Sequence, residues 1–378
     1  MRNHVLPGHP HVSRMSPALR FRVVLEREII AAARLNSSPE TVEKFVQEVY
    51  WRLYWKAWLE VHPGVWENYR ERVSTIRDEL HSDVLQRVAE VEAGKSGVAI
   101  MDYFVKELAH TGYMHNHARM WFASFWIHVE RLPWELGADF FFRHLLDADA
   151  ASNTLSWRWV AGIQTKDKPY LVKRSNIEKF CAPELLSDGR GLERLNDDCV
   201  AAAEVVDTSD PSPRPVPILP EFPQKLPERY GIWLHSDDLC VEHSPLAWLK
   251  PVSVAGLMSR TLARVFSLSQ LREMSVATAI RDGTLRASQH YGCPAHIKRC
   301  SSLVEGLIDW ATRWNLQAIV TISPHNGVVH HSLKSVAEAL RSHNITLCLV
   351  KRSADVRLCS SAHKGFNDFW TRTKPQGF

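Results

Sequence analysis

The chain has 378 residues, of which 45% are hydrophobic and 23% charged, a composition typical of globular proteins and a length that favours two domains over one. Its formal net charge of +4 is compatible with a nucleic-acid partner without requiring one. Seven cysteines without a CxxC pair argue against a zinc module or a disulfide framework, and no apolar run suits a membrane span or a signal peptide, so we expect a cytoplasmic protein with reduced thiols.

The first part of the chain, residues 1–182, is predicted to be an all-α domain. Between positions 17 and 180 apolar residues recur at helical spacing, and strand-like alternation is scarce. The clearest helical segments are 17–35, 41–62, 97–111 and 116–131. Pro63-Gly64 and the stretch 94–97 separate them.

A proline-rich stretch follows the helical part. Residues 209–228 contain seven prolines. Proline at this density excludes a helix or a central strand and leaves an extended chain. We therefore predict a linker over 183–229.

Beyond Tyr230 short apolar runs alternate with amphipathic segments. The runs are 231–235, 252–257, 318–323 and 346–351, and they are typical of buried parallel strands. Segments 302–314 and 332–343 have helical amphipathicity. This alternation predicts an α/β doubly wound, Rossmann-like parallel-sheet domain over 230–378. No Gly-rich phosphate-binding motif supports a separate nucleotide site there.

The segment 110–159 combines polar side chains with many aromatic ones. The polar residues are Asn116, Arg119, Asp147, Asp149 and Asn153. Burying such groups is costly unless a bound partner satisfies them, so this segment predicts a ligand site. The two aspartates could also mark a helix end or bind a metal, but without flanking histidines we expect no metal.

Two other patterns leave a structural and a functional interpretation open. Glu48, Trp51 and Arg52 share one face of a predicted helix, which suits either an ion pair beside a core tryptophan or a binding surface. Ser13 and Ser16 precede the first helix, where hydroxyls either cap the helix or, with its free N–H groups, bind a phosphate.

Taken in chain order, these segments resemble the motifs of the flavin-binding core of the photolyase/cryptochrome family. The matching stretches are VSRMSPAL (12–19), EVYWR (48–52), GKSGVAIMD (94–102), TGYMHNHAR (111–119), LDADAASN (146–153) and SWRW (156–159). The resemblance covers most of residues 2–180 and implies an all-α domain that binds FAD. It leaves open whether an antenna chromophore binds the second domain.

The resemblance implies a set of cofactor-binding residues: Ser13, Met15, Ser16, Phe45, Arg52, Asn116, Arg119, Asp147, Asp149 and Asn153. The first three would contact the diphosphate of FAD, although Val12 replaces the family's threonine and removes one hydroxyl. Arg119 would pair with Asp147 over the isoalloxazine ring. Asp149 would accept hydrogen bonds from the N3 side of the flavin, and Asn153 would face N5.

The resemblance also implies contacts to a damaged base. Glu48 would hydrogen-bond this base, Trp51 and Trp159 would pack against it, and Asn116 would approach either the base or the flavin. His117 stands where DNA-repairing members carry an arginine. A histidine lacks the guanidinium fork but could act as a proton donor.

An electron-transfer chain of tryptophans is a further implication. Trp157 would begin the chain beside the flavin, and Trp134 would be its middle member. The outermost tryptophan of the family has no counterpart in this sequence. We expect Trp66 or Trp126 to substitute for it.

The domain order departs from that of the family, whose α/β domain comes first. Residues 229–249 resemble the family's opening strand and turn, and residues 362–374 resemble the segment that normally closes the α/β domain. We therefore predict a circular permutation, with the helical domain first. The alternative is a helical core fused to an unrelated α/β domain.

The function predicted from the resemblance is that of a photolyase-like lyase. It would transfer an electron from reduced, light-excited FAD to a flipped pyrimidine dimer in DNA. The alternative from another class is a cryptochrome-like blue-light sensor that signals through a protein partner and repairs no DNA. A third interpretation is a structural relic that no longer binds flavin.

Overall fold

The computed structural model of the chain describes residues 2–35, 37–166, 168–202, 211–223 and 225–375. Helices dominate the part before residue 181, as predicted. In chain order they are α1 (Ser16–Arg20), α2 (Glu26–Leu35), α3 (Pro39–Val61), α4 (Gly64–Glu79), α5 (Ser82–Glu92), α6 (Ala99–Thr111), α7 (Asn116–Ser124), a π-helical continuation (Phe125–Val129), α8 (Trp134–His144), α9 (Ala150–Val160) and α10 (Arg174–Phe180). Within the described ranges, no helix is both long and apolar enough to cross a membrane.

The helix predicted over 17–35 is interrupted in the structure. α1 ends at Arg20, and Arg22 adopts a left-handed backbone conformation with a φ of +50°, which a right-handed helix cannot contain. The buried Arg22 guanidinium donates hydrogen bonds to Asp355, at 2.6 and 2.8 Å, and to Asp238, at 3.0 Å. Apolar periodicity cannot reveal this break, because its partners lie more than 200 residues away.

A five-stranded parallel sheet forms the centre of the second half. Its strands, in the spatial order β3-β2-β1-β4-β5, are β1 (Tyr230–Leu234), β2 (Ser253–Ser259), β3 (Ala295–Cys300), β4 (Ala318–Ile322) and β5 (Thr346–Val350). Helices of this half are α11 (Arg260–Val265), α12 (Gln270–Tyr291), α13 (Leu303–Trp314), α14 (Val328–His331), α15 (Leu333–Ser342), α16 (Ser353–Ser361) and α17 (Phe366–Thr373). The predicted fold class, a helical domain followed by a parallel-sheet domain, is confirmed.

The apolar runs in the sequence do not predict strand β3, because this strand lies at an edge of the sheet. Its residues Lys298 and Arg299 are exposed, and only Cys300 at its end is fully buried. Edge strands often carry charged side chains, which discourage pairing with other chains. The other four strands lie where the apolar runs predict them.

Contacts between residues divide the chain into two compact units. The first unit comprises Met1–Met15 and Gly64–Pro211, and the second comprises Ser16–Pro63 and Ser212–Phe378. The second unit therefore contains α1–α3 as well as the sheet. The domain boundaries expected near residues 182 and 229 stay a prediction.

The hydrophobic core of the second unit contains residues of the strands and one residue of the connection between α1 and α2. Phe21, between α1 and α2, packs with Ile232 of β1 and Val254 of β2. The Phe21 carbonyl also accepts a hydrogen bond from the Leu239 amide at 3.1 Å. Loss of Phe21 would therefore leave a cavity beside the sheet.

The proline-rich segment is extended where the structure describes it. Residues 211–223 contain neither helix nor strand, as predicted. The Arg214 amide donates to the Val61 carbonyl at 2.7 Å, and the Pro220 carbonyl accepts from the Lys351 amide at 3.1 Å. The segment is thus held to the second unit by backbone hydrogen bonds.

Candidate functional site

Arg119 and Asp147 form an ion pair in the first unit. Arg119 Nη1 donates to Asp147 Oδ1 at 3.0 Å, and Arg119 Nε donates to the Met114 carbonyl at 2.8 Å. The Asp147 side chain is only 3% exposed, whereas that of Arg119 is 23% exposed. The geometry brings together two residues that the sequence predicts to be paired. The guanidinium keeps one exposed edge for a further contact.

Asp149 and Asn153 lie one turn apart at the start of α9, and both are buried. Asp149 caps this helix, because its Oδ1 accepts from the Ser152 amide at 2.7 Å. Asn153 Nδ2 donates to the Ala138 carbonyl at 2.8 Å, which fixes the orientation of its side-chain amide. The helix-cap interpretation of Asp149 is therefore realised. It does not exclude a ligand contact, since a carboxylate accepts several hydrogen bonds.

The residue types around Asp147 and Asp149 fit a planar ligand that carries N–H donors, as the isoalloxazine ring does. The two carboxylates, two positions apart in the sequence, are both buried. The Ser152 hydroxyl is also buried and has no hydrogen-bond partner among the described residues. A buried polar atom without a partner is costly, so a ligand that hydrogen-bonds to it would be stabilising.

The N-terminus of α7 is organised by His115. The His115 Nδ1 accepts from the His117 amide at 3.1 Å, so the proton of a neutral ring resides on Nε2, which donates to the Arg2 carbonyl at 3.0 Å. Burial, opposed by this hydrogen bond, lowers the pKa of His115 to about 4. The ring is therefore neutral at physiological pH. Asn116, the first residue of α7, is exposed.

His117 is half-buried and directed toward the N-terminal segment. It hydrogen-bonds to the backbone of Asn3, and burial lowers the pKa of its imidazole. Its ring also makes edge contacts with His115 and Phe180, at centroid distances of 5.7 and 5.5 Å. A neutral ring with one nitrogen engaged by Asn3 is a poorer proton donor than the sequence-based hypothesis requires.

Trp157 and Trp134 are buried in the first unit, with 2% and 6% of their surfaces exposed. Trp157 packs against Phe141 at 5.1 Å and against Trp126 at 6.3 Å between ring centroids. The ring of Trp134 stacks on Tyr69 at 5.5 Å. Both tryptophans therefore belong to the aromatic core of the first unit. A purely structural role in packing would explain these contacts equally well.

Trp159 is half-buried, and its ring stacks on that of Tyr170 at a centroid distance of 5.6 Å. The Tyr170 amide donates to the Val160 carbonyl at 3.0 Å, which holds the segment after α9 against this helix. Sequence reasoning misses Tyr170. Its position next to Pro169, where the chain turns back, is the signal that could have found it.

Ser13 and Met15 lie in an exposed-to-half-buried segment of the first unit. The Ser13 hydroxyl accepts a hydrogen bond from the Met15 amide at 3.4 Å. This local turn is compatible with both interpretations of the two serines. The role of these residues at a diphosphate stays a prediction.

The remaining predicted site residues belong to the second unit: Ser16, Phe45, Glu48, Trp51 and Arg52. Ser16 begins α1, and the other four are on α3. Glu48 is exposed, whereas Trp51 and Arg52 are half-buried.

One face of the Trp51 indole is covered within the second unit. Phe366 of α17 stacks on it at a centroid distance of 3.7 Å, with 9° between the ring planes. Nearby, the Tyr54 hydroxyl donates to the Lys364 carbonyl at 2.9 Å, which fastens α3 to the turn before α17. Sequence reasoning misses Phe366, because the two residues are more than 300 positions apart. The rings of Tyr54 and Trp55 also contact this indole, at centroid distances of 5.7 and 5.2 Å, so Trp51 belongs to an aromatic cluster of the second unit.

With this geometry in view, comparison with known proteins identifies the class of the helical part. Residues 45–183 match the family described as the FAD binding domain of DNA photolyase. This part of the chain is thus similar to the FAD-binding domains of photolyases, and the predicted cofactor, FAD, is confirmed.

Individual relatives share this domain at modest identity. The chain is 36% identical over 170 residues to a deoxyribodipyrimidine photo-lyase of Streptomyces griseus, covering 44% of this chain and 35% of that protein. It is 32% identical over 131 residues to the Escherichia coli deoxyribodipyrimidine photo-lyase, covering 33% and 26%. It is 27% identical over 176 residues to a cryptochrome DASH of Vibrio parahaemolyticus, covering 46% and 39%.

Among solved structures, a cryptochrome of Synechocystis aligns with a TM-score of 0.41 and 23% identity, covering 47% of this chain and 38% of that one. The chain spans between about a quarter and two fifths of the length of the curated relatives named above.

Proposed function

We propose that this protein is a FAD-dependent, photolyase-like lyase that splits pyrimidine dimers in DNA. The observation that carries the proposal is the buried set of Asp147, Asp149 and Asn153, with the half-buried Arg119 paired to Asp147, in a domain of the FAD-binding type. The named relatives include deoxyribodipyrimidine photo-lyases. Damaged DNA as the partner and a cytoplasmic location are parts of the same proposal.

When bound, FAD supplies the light-driven electron donor of the reaction. The chain's own residues would bind and orient it: Asp147 and Asp149 would accept hydrogen bonds from the cofactor, and Arg119 balances the charge of Asp147. The amide nitrogen of Asn153 donates to Ala138, so its carbonyl oxygen is the atom that would accept a hydrogen bond from the cofactor. Because Asp147, Asp149 and Asn153 are buried, their electrostatic effect on a bound ring would be screened little by water.

At the substrate, Glu48 would hydrogen-bond to the flipped base and stabilise the charge that develops there. Trp51 and Trp159 would stack on the base, because a nucleobase offers a π-face to an indole. Asn116, exposed at the start of α7, would contact the base edge. An electron would reach the flavin through Trp157 and Trp134.

A cryptochrome-like sensor is the second candidate, and the surroundings of His117 favour it. This residue replaces the arginine of repairing members, and its imidazole is hydrogen-bonded to Asn3 rather than presented as a charged fork. A sensor would need flavin photochemistry and a protein partner but no affinity for a dimer. One relative named above is a cryptochrome.

The permuted domain order is part of the proposal. It is supported by β1, which starts in the segment that resembles the family's opening strand, and by α17, which lies in the segment that resembles the family's closing one. A chain re-joined in the family's order, with residues 230–378 first, should still bind FAD and keep its thermal stability. Failure of the re-joined chain to fold, while the natural order folds, would favour the fusion alternative.

The first experiment is an absorption spectrum of the purified protein before and after anaerobic blue light with a thiol reductant. Structured flavin bands that bleach on illumination support the proposal, and a repair assay on an oligonucleotide with a thymine dimer then separates lyase from sensor. A protein that stays colourless and refuses added FAD leaves only the relic interpretation.

A further inference from the structure

A column of aromatic rings leads from Trp134 to the N-terminus of α4 in the first unit. The Trp134 ring stacks on Tyr69 at 5.5 Å with 25° between planes, and Tyr69 lies 5.4 Å from Trp66. Tyr69 and Trp66 are three positions apart on α4, so they share one helix face. The first two turns of α4 thus carry an indole and a phenol in contact with α8.

The inner end of the column reaches Trp157 through α8. A Cβ atom at Gly137 would lie 2.4 Å from Trp157 Cη2, so the indole occupies the space that glycine leaves. Gly137 is three residues after Trp134 on the same helix. Trp157 therefore packs against the helix that carries Trp134, and ring contacts continue from Trp134 to Tyr69 and Trp66.

The other candidate for an outer member, Trp126, does not offer a way out of the core. Its ring is fully buried, and its Nε1 donates to the Pro133 carbonyl at 2.8 Å. Besides Trp157, its ring contact is Phe122, which is also fully buried. The other ring contacts of Phe122 among the described residues are with Phe125, Phe140 and Phe141, so no indole or phenol continues the path beyond it. A charge on Trp126 would be trapped.

The end of the column at Trp66 is closer to solvent. The Arg70 guanidinium lies over the Trp66 ring at 5.9 Å, and its side chain is 22% exposed. The neighbouring Glu67 is exposed. Trp66 itself is buried, with 6% of its surface exposed, but Trp126 is completely enclosed, so a soluble reductant can approach Trp66 more closely than Trp126.

We infer that Trp66 is the outer electron donor of this protein and that Tyr69 bridges it to Trp134, an inference that rests on the proposed function. With FAD bound and excited by light, Trp157 would donate one electron to it and would be refilled from Trp134. One electron from Trp66 then passes across the Tyr69 ring to Trp134. A soluble thiol finally returns one electron to Trp66 and is itself oxidised.

Tyr69 acts as a bridge because its proton has nowhere to go. Its hydroxyl is buried and has no hydrogen-bond acceptor among the described residues. Burial also raises the pKa of this phenol well above its usual value, with Asp139 adding to the effect. A phenol that cannot release its proton is difficult to oxidise, so the charge passes over the ring without resting there. No covalent bond forms or breaks in the relay.

Anaerobic photoreduction of the flavin with a thiol tests the relay in the intact protein. We expect Trp66→Phe to slow photoreduction several-fold, whereas the matched control Trp126→Phe keeps the wild-type rate. Tyr69→Phe, which retains a ring but no hydroxyl, should stay close to wild type, and Tyr69→Leu should be several-fold slower. Circular dichroism and thermal midpoints establish that each variant is folded. A wild-type rate in Trp66→Phe, or a loss in Trp126→Phe, overturns the inference.

A second measurement needs no flavin and separates this inference from the proposed function. The flavin-free protein is treated with a soluble one-electron photo-oxidant, and oxidised residues are mapped by peptide mass spectrometry. Oxidation at Trp134 should fall several-fold in Trp66→Phe and in Tyr69→Leu but not in Trp126→Phe. Unchanged oxidation of Trp134 in all variants refutes the relay. If this mapping succeeds but the protein never photoreduces FAD, the proposed function fails and the relay stands.

Discussion

Gly137→Ala tests whether close packing around Trp157 is as tight as the structure indicates. An added Cβ at this position would lie 2.4 and 2.5 Å from two ring atoms of Trp157 and 3.0 Å from Trp126. Both rings are buried and cannot swing aside. In an exposed helix the same change would stabilise the protein by about 1 kcal/mol, since alanine favours helix.

The expected net effect is destabilising, because overpacking a tight core costs typically about 1–3 kcal/mol. Two rigid rings place Gly137→Ala at the upper end, so that about 2 kcal/mol remains after the helix-propensity gain. For a unit of this size the thermal midpoint should fall by about 4–8 °C. Displacement of Trp157 should also slow photoreduction of the flavin.

Calorimetry of the purified protein resolves the midpoint, and Gly189→Ala provides the matched control. At Gly189 an added Cβ would meet only Leu192 at 3.9 Å, which is an ordinary contact. This control should leave the midpoint and the photoreduction rate unchanged. A Gly137→Ala protein as stable as the wild type, or more stable, would show that α8 and α9 pack less closely than described.

Three other outcomes are expected. Glu48→Gln should lower dimer repair at least several-fold without changing flavin photoreduction; equal loss of both activities would place Glu48 at the cofactor instead. Trp157→Phe should slow photoreduction while leaving the bound flavin spectrum intact, and a normal rate would remove Trp157 from the relay. Because burial depresses the pKa of His115 to about 4 from an ordinary value of about 6.5, its contribution to stability is complete above about pH 6.5 and is lost as the pH falls toward 4. His115→Asn, which can still cap α7, should flatten the unfolding free energy over that range. A wild-type slope in His115→Asn would contradict the assignment to His115. At lower pH a second group contributes: burial raises the pKa of Asp238, but Arg352 and Arg22 outweigh this effect and lower it to about 2. Asp238 should therefore lose its stabilising charge as the pH falls from about 4 toward 2, in the variant as in the wild type.

Local pattern was sufficient for most of the fold. Helical spacing of apolar residues predicts α3, α6 and α7, and apolar runs predict β1, β2, β4 and β5. In these elements the burial of one face follows directly from residue order. The edge strand β3 and the break at Arg22 are exceptions, because charge exposure and distant ion pairs decide them.

The candidate site was predictable to the extent that its residues are close in sequence. Arg119 and Asp147 are 28 positions apart, and the motif order already pairs them. Other contacts that affect the predicted site residues come from segments distant in the sequence. They are Phe366 on Trp51, Asn3 at His117 and Tyr69 beside Trp134. None of these contacts leaves a periodic signal.

Residue order thus determines which segments become helices and strands, because this property depends on neighbours within a few turns. The folded chain decides which ring stacks on which, which tautomer His115 adopts, and that α1–α3 share a compact unit with the sheet. These features depend on contacts between segments separated by tens to hundreds of residues. The free energy of such contacts comes from close packing and desolvation, which only the three-dimensional arrangement defines.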